Sequence, residues 1–358
     1  MYESYWKEVD QKCSVTIPGF QSLSYFANIK NLCWFLEPKL EEEIKRLHNT
    51  VGNAIVEDRH IVVGTGSSQL ILAAFYALSD PLNESGPVNI VSAVPFYSSY
   101  PEMSNYLQST LFKWSGDARC FNKDGPYIEM VTSPNNPDGV IREPVVNRAK
   151  GMTVHDLAYY WPQYTAITSH ADHDIMLFTV SKCTGHAGSR IGWALVRDEK
   201  VARKMVKFVE INTIGVSKEA QLRAANILEI ISLSCQTDNK PHDLDNFFEH
   251  SHNLMVQRWN KLRDVVLNNG LFSVPKFPLQ YCKFKRDFTE TYPAFAWVKC
   301  KEGMDCEKLL RGQKILARSG RRFGSEPEYA RISMLSRDEE FDLFVQRLSS
   351  IRGIGNEK

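Results

Sequence analysis

The chain has 358 residues, 43% of them apolar and 24% charged, with 43 Lys and Arg against 42 Asp and Glu. That length exceeds what one hydrophobic core usually serves, so two domains are expected, and a formal net charge of +1 excludes a polyelectrolyte surface for nucleic acid. The eight cysteines form no C-x-x-C pair or zinc spacing and read as reduced thiols of a cytoplasmic protein, with no metal site. The first residues contain no apolar signal-peptide core, and no uncharged apolar run is long enough to span a bilayer.

In chain order, residues 37–49 read as a helix with Leu40, Ile44 and Leu47 on one face. His60–Val63 reads as a strand leading into Gly64-Thr65-Gly66-Ser67-Ser68, then an apolar helix from about Gln69 to Leu78. Asn89–Val94, Tyr127–Thr132, Met152–His155, Ile175–Val180 and Gly192–Val196 read as buried strands. They lack period-2 alternation, which predicts an α/β class with a mostly parallel sheet covered on both faces. From Lys200 to about Asn268 the pattern is helical, broken near Gln236–Pro241. After Pro275, the strands Phe295–Cys300 and Tyr329–Met334 alternate with helices near Asp305–Arg311 and Arg337–Arg352, as in a smaller α+β domain. The expected division is a large domain over 46–268 and a discontinuous small one made of 1–45 with 269–358.

The chemistry concentrates in a few strings. In Thr179-Val180-Ser181-Lys182-Cys183-Thr184-Gly185-His186-Ala187-Gly188-Ser189-Arg190 a lysine ends a buried strand, flanked by hydroxyls and followed by an arginine. Poor solvation there disfavours the ammonium and frees a nucleophilic amine, and Arg190 can offer a planar fork to a phosphate. A lone Ser-Lys pair is roughly four times more often a surface lysine, but the whole string is far more specific. Asp156, in His155-Asp156-Leu157-Ala158-Tyr159, follows a strand where α/β sheets place ligands and could hold a pyridinium nitrogen. Tyr159 could donate to a ring oxygen. Helix capping by Asp156 and core packing by Tyr159 are the plainer alternatives. Ser133-Pro134-Asn135-Asn136-Pro137-Asp138-Gly139 is a turn on any reading, with Asn136 able to reach the same oxygen.

Gly66, Ser67 and Ser68 precede a helix, where free N–H groups cradle a phosphate; a capped glycine turn is the alternative. Tyr97, in Val94-Pro95-Phe96-Tyr97-Ser98-Ser99-Tyr100, could stack on an aromatic ring or merely pack in the core. Arg331 lies inside the apolar strand Tyr329–Met334, where it needs a partner, either a substrate carboxylate or a structural acid.

Each string is weak alone, but their order resembles the fold type I pyridoxal-phosphate aminotransferases. Ser133–Gly139, Ser181–Ala194, Asn31-Leu32-Cys33-Trp34-Phe35-Leu36-Glu37-Pro38 and Ile211–Ser217 resemble the plant alliinase / tryptophan aminotransferase family over nearly the whole chain. The resemblance implies a large domain with a mostly parallel seven-stranded sheet plus a smaller α+β domain. It implies pyridoxal 5'-phosphate joined as a Schiff base to Lys182, which also serves as general base. Asp156 would hold the pyridine nitrogen, Asn136 and Tyr159 the ring oxygen, and Tyr97 the ring face. Gly66, Ser67, Ser68, Thr179, Ser181 and Arg190 would bind phosphate, and Arg331 the substrate carboxylate. Tyr25, in Ser24-Tyr25-Phe26, matches a tyrosine that reaches the phosphate of a neighbouring subunit, so a homodimer is implied.

The activity implied is transamination of L-tryptophan to indole-3-pyruvate for auxin synthesis, with pyruvate or another 2-oxo acid as acceptor. An alliinase-type C–S lyase acting on cysteine sulfoxides and a catalytically impaired cofactor-binding homologue are the rival readings. The family has a Gly-Asp-Pro-Thr segment before the Tyr-x-x-Tyr-Trp stretch, whereas this sequence starts at Met1-Tyr2, so impaired closure over substrate is expected. Phe295, Trp297, Trp34 and Phe35 could line an indole pocket or belong to the core.

Overall fold

The computed structural model describes residues 1–79, 86–236 and 245–351. Its larger sheet is built from β1 (His60–Gly64), β2 (Val88–Ser92), β3 (Phe112–Asp117), β4 (Tyr127–Thr132), β5 (Gly151–Asp156), β6 (Ile175–Thr179) and β7 (Gly192–Val196). Among the described residues the sheet has seven strands in the order β1-β7-β6-β5-β4-β2-β3. Strands β3, β2, β4, β5 and β6 pair in parallel, while β7 runs antiparallel to both of its neighbours. Every residue of β2, β4, β6 and β7 is buried, as expected for strands covered on both faces. His60–Val63 and the five runs read as buried strands each contain a strand, although those expected at 89–94 and 175–180 stop earlier, at Ser92 and Thr179. The edge strand β3, half exposed and carrying Lys113, Ser115 and Asp117, offers no apolar run and escapes that reading.

Helices cover the sheet. Pro38–Val51 buries Leu40, Ile44 and Leu47 as its periodicity requires, and it packs along Lys218–Ser234. The boundary expected between residues 45 and 46 falls inside Pro38–Val51. The long helical stretch after β7 contains a break absent from the sequence reading. Glu199–Thr213 ends at Ile214 and Gly215, both left-handed, and Ser217 caps Lys218–Ser234 by accepting from the Ala220 N–H. Gly215 is also a close-approach glycine, since a Cβ there would lie 2.8 Å from Phe35. Of the break expected near Gln236–Pro241, all but Gln236 lies outside the described residues.

Phe247–Asn269, capped by Asn246 and ended by Gly270, leads into the second unit. Here β8 (Phe272–Ser273) is followed by a hairpin of β9 (Gln280–Cys282) and β10 (Asp287–Thr289), then by β11 (Phe295–Cys300), β12 (Arg318–Ser319) and β13 (Tyr329–Ser333). Strands β8, β11, β12 and β13 form an antiparallel sheet in the order β12-β13-β11-β8, with helices Cys306–Gly312 and Asp338–Ser350 beside it. The N-terminal helix Glu3–Glu8 places the Tyr5 ring on Phe247.

The topology collects the chemistry at one edge. Asp156 ends β5, and Gly66, Tyr97, Asn136 and Lys182 follow the carboxyl ends of β1, β2, β4 and β6. The reversed β7 begins at that same edge, with Gly192 paired to Gly64 on one side and Thr179 on the other, and this brings Arg190 beside Gly66 and Ser181.

Candidate active site

The anion cradle comes first. Helix Ser67–Leu78 starts after Gly66, whose φ of +78° suits glycine and which makes no side-chain cap, so the first N–H groups point outward from the sheet edge. A Cβ at Gly66 would lie 2.5 Å from Nη2 of Arg190, and one at Gly192 would lie 2.7 Å from the Ser67 nitrogen. Both positions are glycine because backbone and guanidinium meet there. Arg190 sits in the left-handed region (φ +51°), held by Nη1 donating to the Ala187 carbonyl at 3.0 Å and, longer, to Ser181 Oγ at 3.5 Å. Backbone N–H groups, a hydroxyl and a guanidinium thus converge on a space suited to a phosphate. Thr179 is already engaged within the chain. Its buried hydroxyl donates to the Ile191 carbonyl at 3.0 Å and accepts from the Ser181 N–H at 3.2 Å, so in this chain it caps the following turn.

That cap also changes the expected backbone at Lys182. The strand stops at Thr179, and Val180–Cys183 forms one helical turn carrying the lysine. The amine lies 5.8 Å from the centre of the Tyr159 ring. Its pKa is lowered, first by burial and then by the nearby Arg331 and Arg190 charges, with Asp156 opposing. Burial and the two guanidinium charges thus move the balance toward the free amine relative to an exposed lysine.

Asp156 is 4% exposed at the end of β5. Tyr100 Oη donates to its Oδ2 at 2.9 Å, the Ala158 N–H donates to Oδ1 at 3.2 Å, and Tyr100 also bonds Thr132 Oγ1 at 2.7 Å. Burial raises the Asp156 pKa, while the Tyr100 and Ala158 donors and the Lys182 charge pull it back. A buried carboxylate stabilised in this way has one obvious further partner, a cationic N–H placed above it.

Arg331 of β13 is near enough to act on Lys182 through its charge. Nη1 donates to Asn136 Oδ1 at 2.9 Å, and the guanidinium lies 4.0 Å from the Phe295 ring centre and 5.0 Å from that of Phe323. Among the described residues no acid is within ion-pair distance of it. Burial lowers its pKa to about 10. An arginine clamped between rings with only a neutral amide partner is poised for an incoming carboxylate. Asn136 is thus engaged through its oxygen, leaving its NH2 group as the donor end.

Tyr159 is buried, and burial pushes its pKa well up, so its hydroxyl keeps its proton and can donate. Tyr97, half buried, packs edge-on to Tyr100, and its hydroxyl is close enough to Tyr159 and Arg331 to influence both. These residues fit pyridoxal phosphate: a cradle a Cβ would fill, a buried carboxylate, a protonated phenol and a poorly solvated amine.

Three expected residues, Tyr25, Trp34 and Phe35, pack on one another or near the 213–219 connection. Tyr25 is 59% exposed, packed on Phe26 and Trp34 beside the Thr213–Glu219 connection. Trp34 and Phe35 pack on each other there. Phe295 touches Tyr159 as well as Arg331, and Trp297 packs on Phe323, so these two border the site. Tyr100 and Phe323 were missed. The three-residue spacing of Tyr97 and Tyr100 at a helix start was a usable signal for the first, whereas nothing local marks Phe323.

The family described as Allinase matches residues 1–352. Tryptophan aminotransferase-related protein 2 of Arabidopsis thaliana is 56% identical over 352 residues, covering 98% of this chain and 79% of that protein. Alliin lyase of Allium cepa var. aggregatum is 37% identical over 357 residues, covering 97% of this chain and 78% of that protein. Among solved structures, the aspartate aminotransferase of Rhizobium meliloti superposes with a TM-score of 0.69 at 16% identity, covering 96% of this chain and 87% of that one, which shows the fold type I architecture. The chain belongs to the alliinase family, whose proteins depend on pyridoxal phosphate.

Proposed function

We propose that the protein is an aminotransferase that converts L-tryptophan to indole-3-pyruvate, the auxin precursor, with pyruvate or another 2-oxo acid as acceptor. The observation that carries this reading is the Lys182 amine, held poorly solvated between the Gly66/Arg190 cradle, buried Asp156 and the ring-clamped Arg331. When bound, pyridoxal phosphate supplies an electron sink that acidifies the α-hydrogen of an attached amino acid. Gly66, Ser67, Ser68, Ser181 and Arg190 would hold its phosphate, and Asp156 its ring nitrogen. Asn136 and Tyr159 would donate to the ring oxygen, and Tyr97 would cover the ring face. Arg331 then fixes the substrate carboxylate. Lys182 Nζ would take the proton from the substrate α-carbon and carry it past the adjoining nitrogen to the next carbon beyond, and the protein would select the bond that breaks by orientation. Phe295, Phe323 and Trp297 offer aromatic surface beside Arg331, which supports an aromatic side chain in the substrate.

The same reading has Tyr25 completing the phosphate site of a second copy. Its exposure, together with Phe20, Leu23 and Ile29 at 72%, 84% and 76%, supports a homodimer. Among the described residues no helix is long and apolar enough to cross a membrane.

The test is visible absorption of the protein loaded with pyridoxal phosphate. The lysine-linked band should vanish on adding L-tryptophan and return with pyruvate. A band indifferent to tryptophan that instead yields pyruvate from cysteine sulfoxides would establish the lyase reading; a band indifferent to both, an impaired homologue.

A further inference from the structure

A one-turn helix does not hold itself. Val180–Cys183 has four residues, fewer than cooperative helix formation can sustain, and its last carbonyls have no intrahelical donor. Side chains from elsewhere supply the donors. Tyr164 Oη donates to the Lys182 carbonyl at 3.0 Å, Gln163 Nε2 to the Cys183 carbonyl at 2.8 Å, and Trp6 Nε1 to the Thr184 carbonyl at 3.0 Å. Tyr164 and Gln163 are fully buried in the segment that follows Asp156, and Trp6 belongs to the N-terminal helix.

The Tyr164 phenol is fixed from behind by Tyr2, whose Oη lies at 2.6 Å. Tyr2 in turn covers Gly185, where a Cβ would come 2.5 Å from its ring. The Tyr164 ring also meets Tyr159 edge-on at 5.6 Å, so one side chain touches both the backbone that carries the lysine and the ring nearest its amine.

We propose that Tyr164 is a positioning residue for Lys182, clamping with Gln163 and Trp6 the carbonyl end of the lysine's turn and so fixing where the amine sits. This rests on the reading of Lys182 as the cofactor lysine. A displacement of the turn of about 1 Å is enough to spoil transfer geometry. A loosened turn would also let water reach the amine. The charges facing it are Asp156, Arg331 and Arg190, and around Tyr164 the titratable neighbours are Tyr2, Tyr159 and Cys183.

The experiment compares wild type, Tyr164→Phe, Trp6→Phe and, as a remote control, Tyr76→Phe, which packs on Phe208. In the cofactor-free full chain, Lys182 is acylated with limiting acetic anhydride across pH and read by mass spectrometry. In the loaded protein, the pH midpoint of the visible band is titrated. Tyr164→Phe should raise the acylation midpoint by about half a unit, roughly threefold less free amine at a given pH, and should move the band midpoint as well. Trp6→Phe should shift both less, in the same direction, and Tyr76→Phe neither. Should Tyr164→Phe fold poorly, Trp6→Phe decides alone. Midpoints equal to wild type in the folded variants overturn the clamp. A band that survives Lys182→Ala overturns the cofactor reading instead, and the acylation midpoints still decide the clamp.

Discussion

Two arginines whose charges reach Lys182 are placed in contrasting ways. Arg190 is exposed, stands on a loop in the left-handed region, and is placed by what is missing around it, the side chains of Gly66 and Gly192. Arg331 is half buried in a strand and is placed by what surrounds it, the rings of Phe295 and Phe323 and the Asn136 amide. The first is held by backbone and suits a permanently bound anion. The second is partly desolvated and suits a carboxylate that must come and go, because a guanidinium already stripped of water loses less on binding. On the proposed reading, cofactor affinity and substrate affinity are therefore separable properties of the chain.

The largest effect tests what lies between them. Lys182→Ala should remove the visible band and lower kcat about a thousandfold or more, measured by stopped-flow transamination. Next comes the comparison itself. Arg331→Ala should raise the KM for tryptophan about a hundredfold, roughly 2.7 kcal/mol, with cofactor affinity unchanged, while Arg190→Ala should weaken cofactor binding with little change in KM once saturated. Parallel losses in both variants would break the distinction. Gly66→Ala sharpens it further: a Cβ meeting Arg190 at 2.5 Å, on a backbone with φ of +78°, should raise the cofactor Kd about tenfold by equilibrium dialysis, with KM little changed once saturated.

The smallest effect concerns pH. Tyr100 donates to Asp156 and so opposes the upward shift that burial causes. Tyr100→Phe removes that opposition, the Asp156 pKa rises, and the acid limb of the kcat profile should move to higher pH by about half a unit to one unit.

Much of this site was legible because its parts are local. Strand ends, glycine turns and the Lys182 string carry their own punctuation, and Arg331 betrays itself as a charge in an apolar strand. Contacts between distant segments were not legible. Asn136 turns its oxygen to an arginine 195 positions away, and Tyr100 finds an aspartate 56 positions on. That Thr179 also starts the turn was not legible either, because it shows only in its burial and its bond to Ile191. The fold followed the same rule. Fully buried strands announced themselves, whereas the half-exposed β3 and the left-handed pair Ile214–Gly215 did not.

The reversal of β7 has a consequence for which sequence changes the chain can absorb. Hydrogen-bonded in frame on both sides, with all five residues buried, β7 works as a ruler whose zero mark is Gly192. Apolar replacements of similar volume along it should be tolerated. A single-residue insertion would slide Arg190 by about 3.3 Å and turn every following side chain to the opposite face. Length, more than chemistry, is what this strand cannot vary.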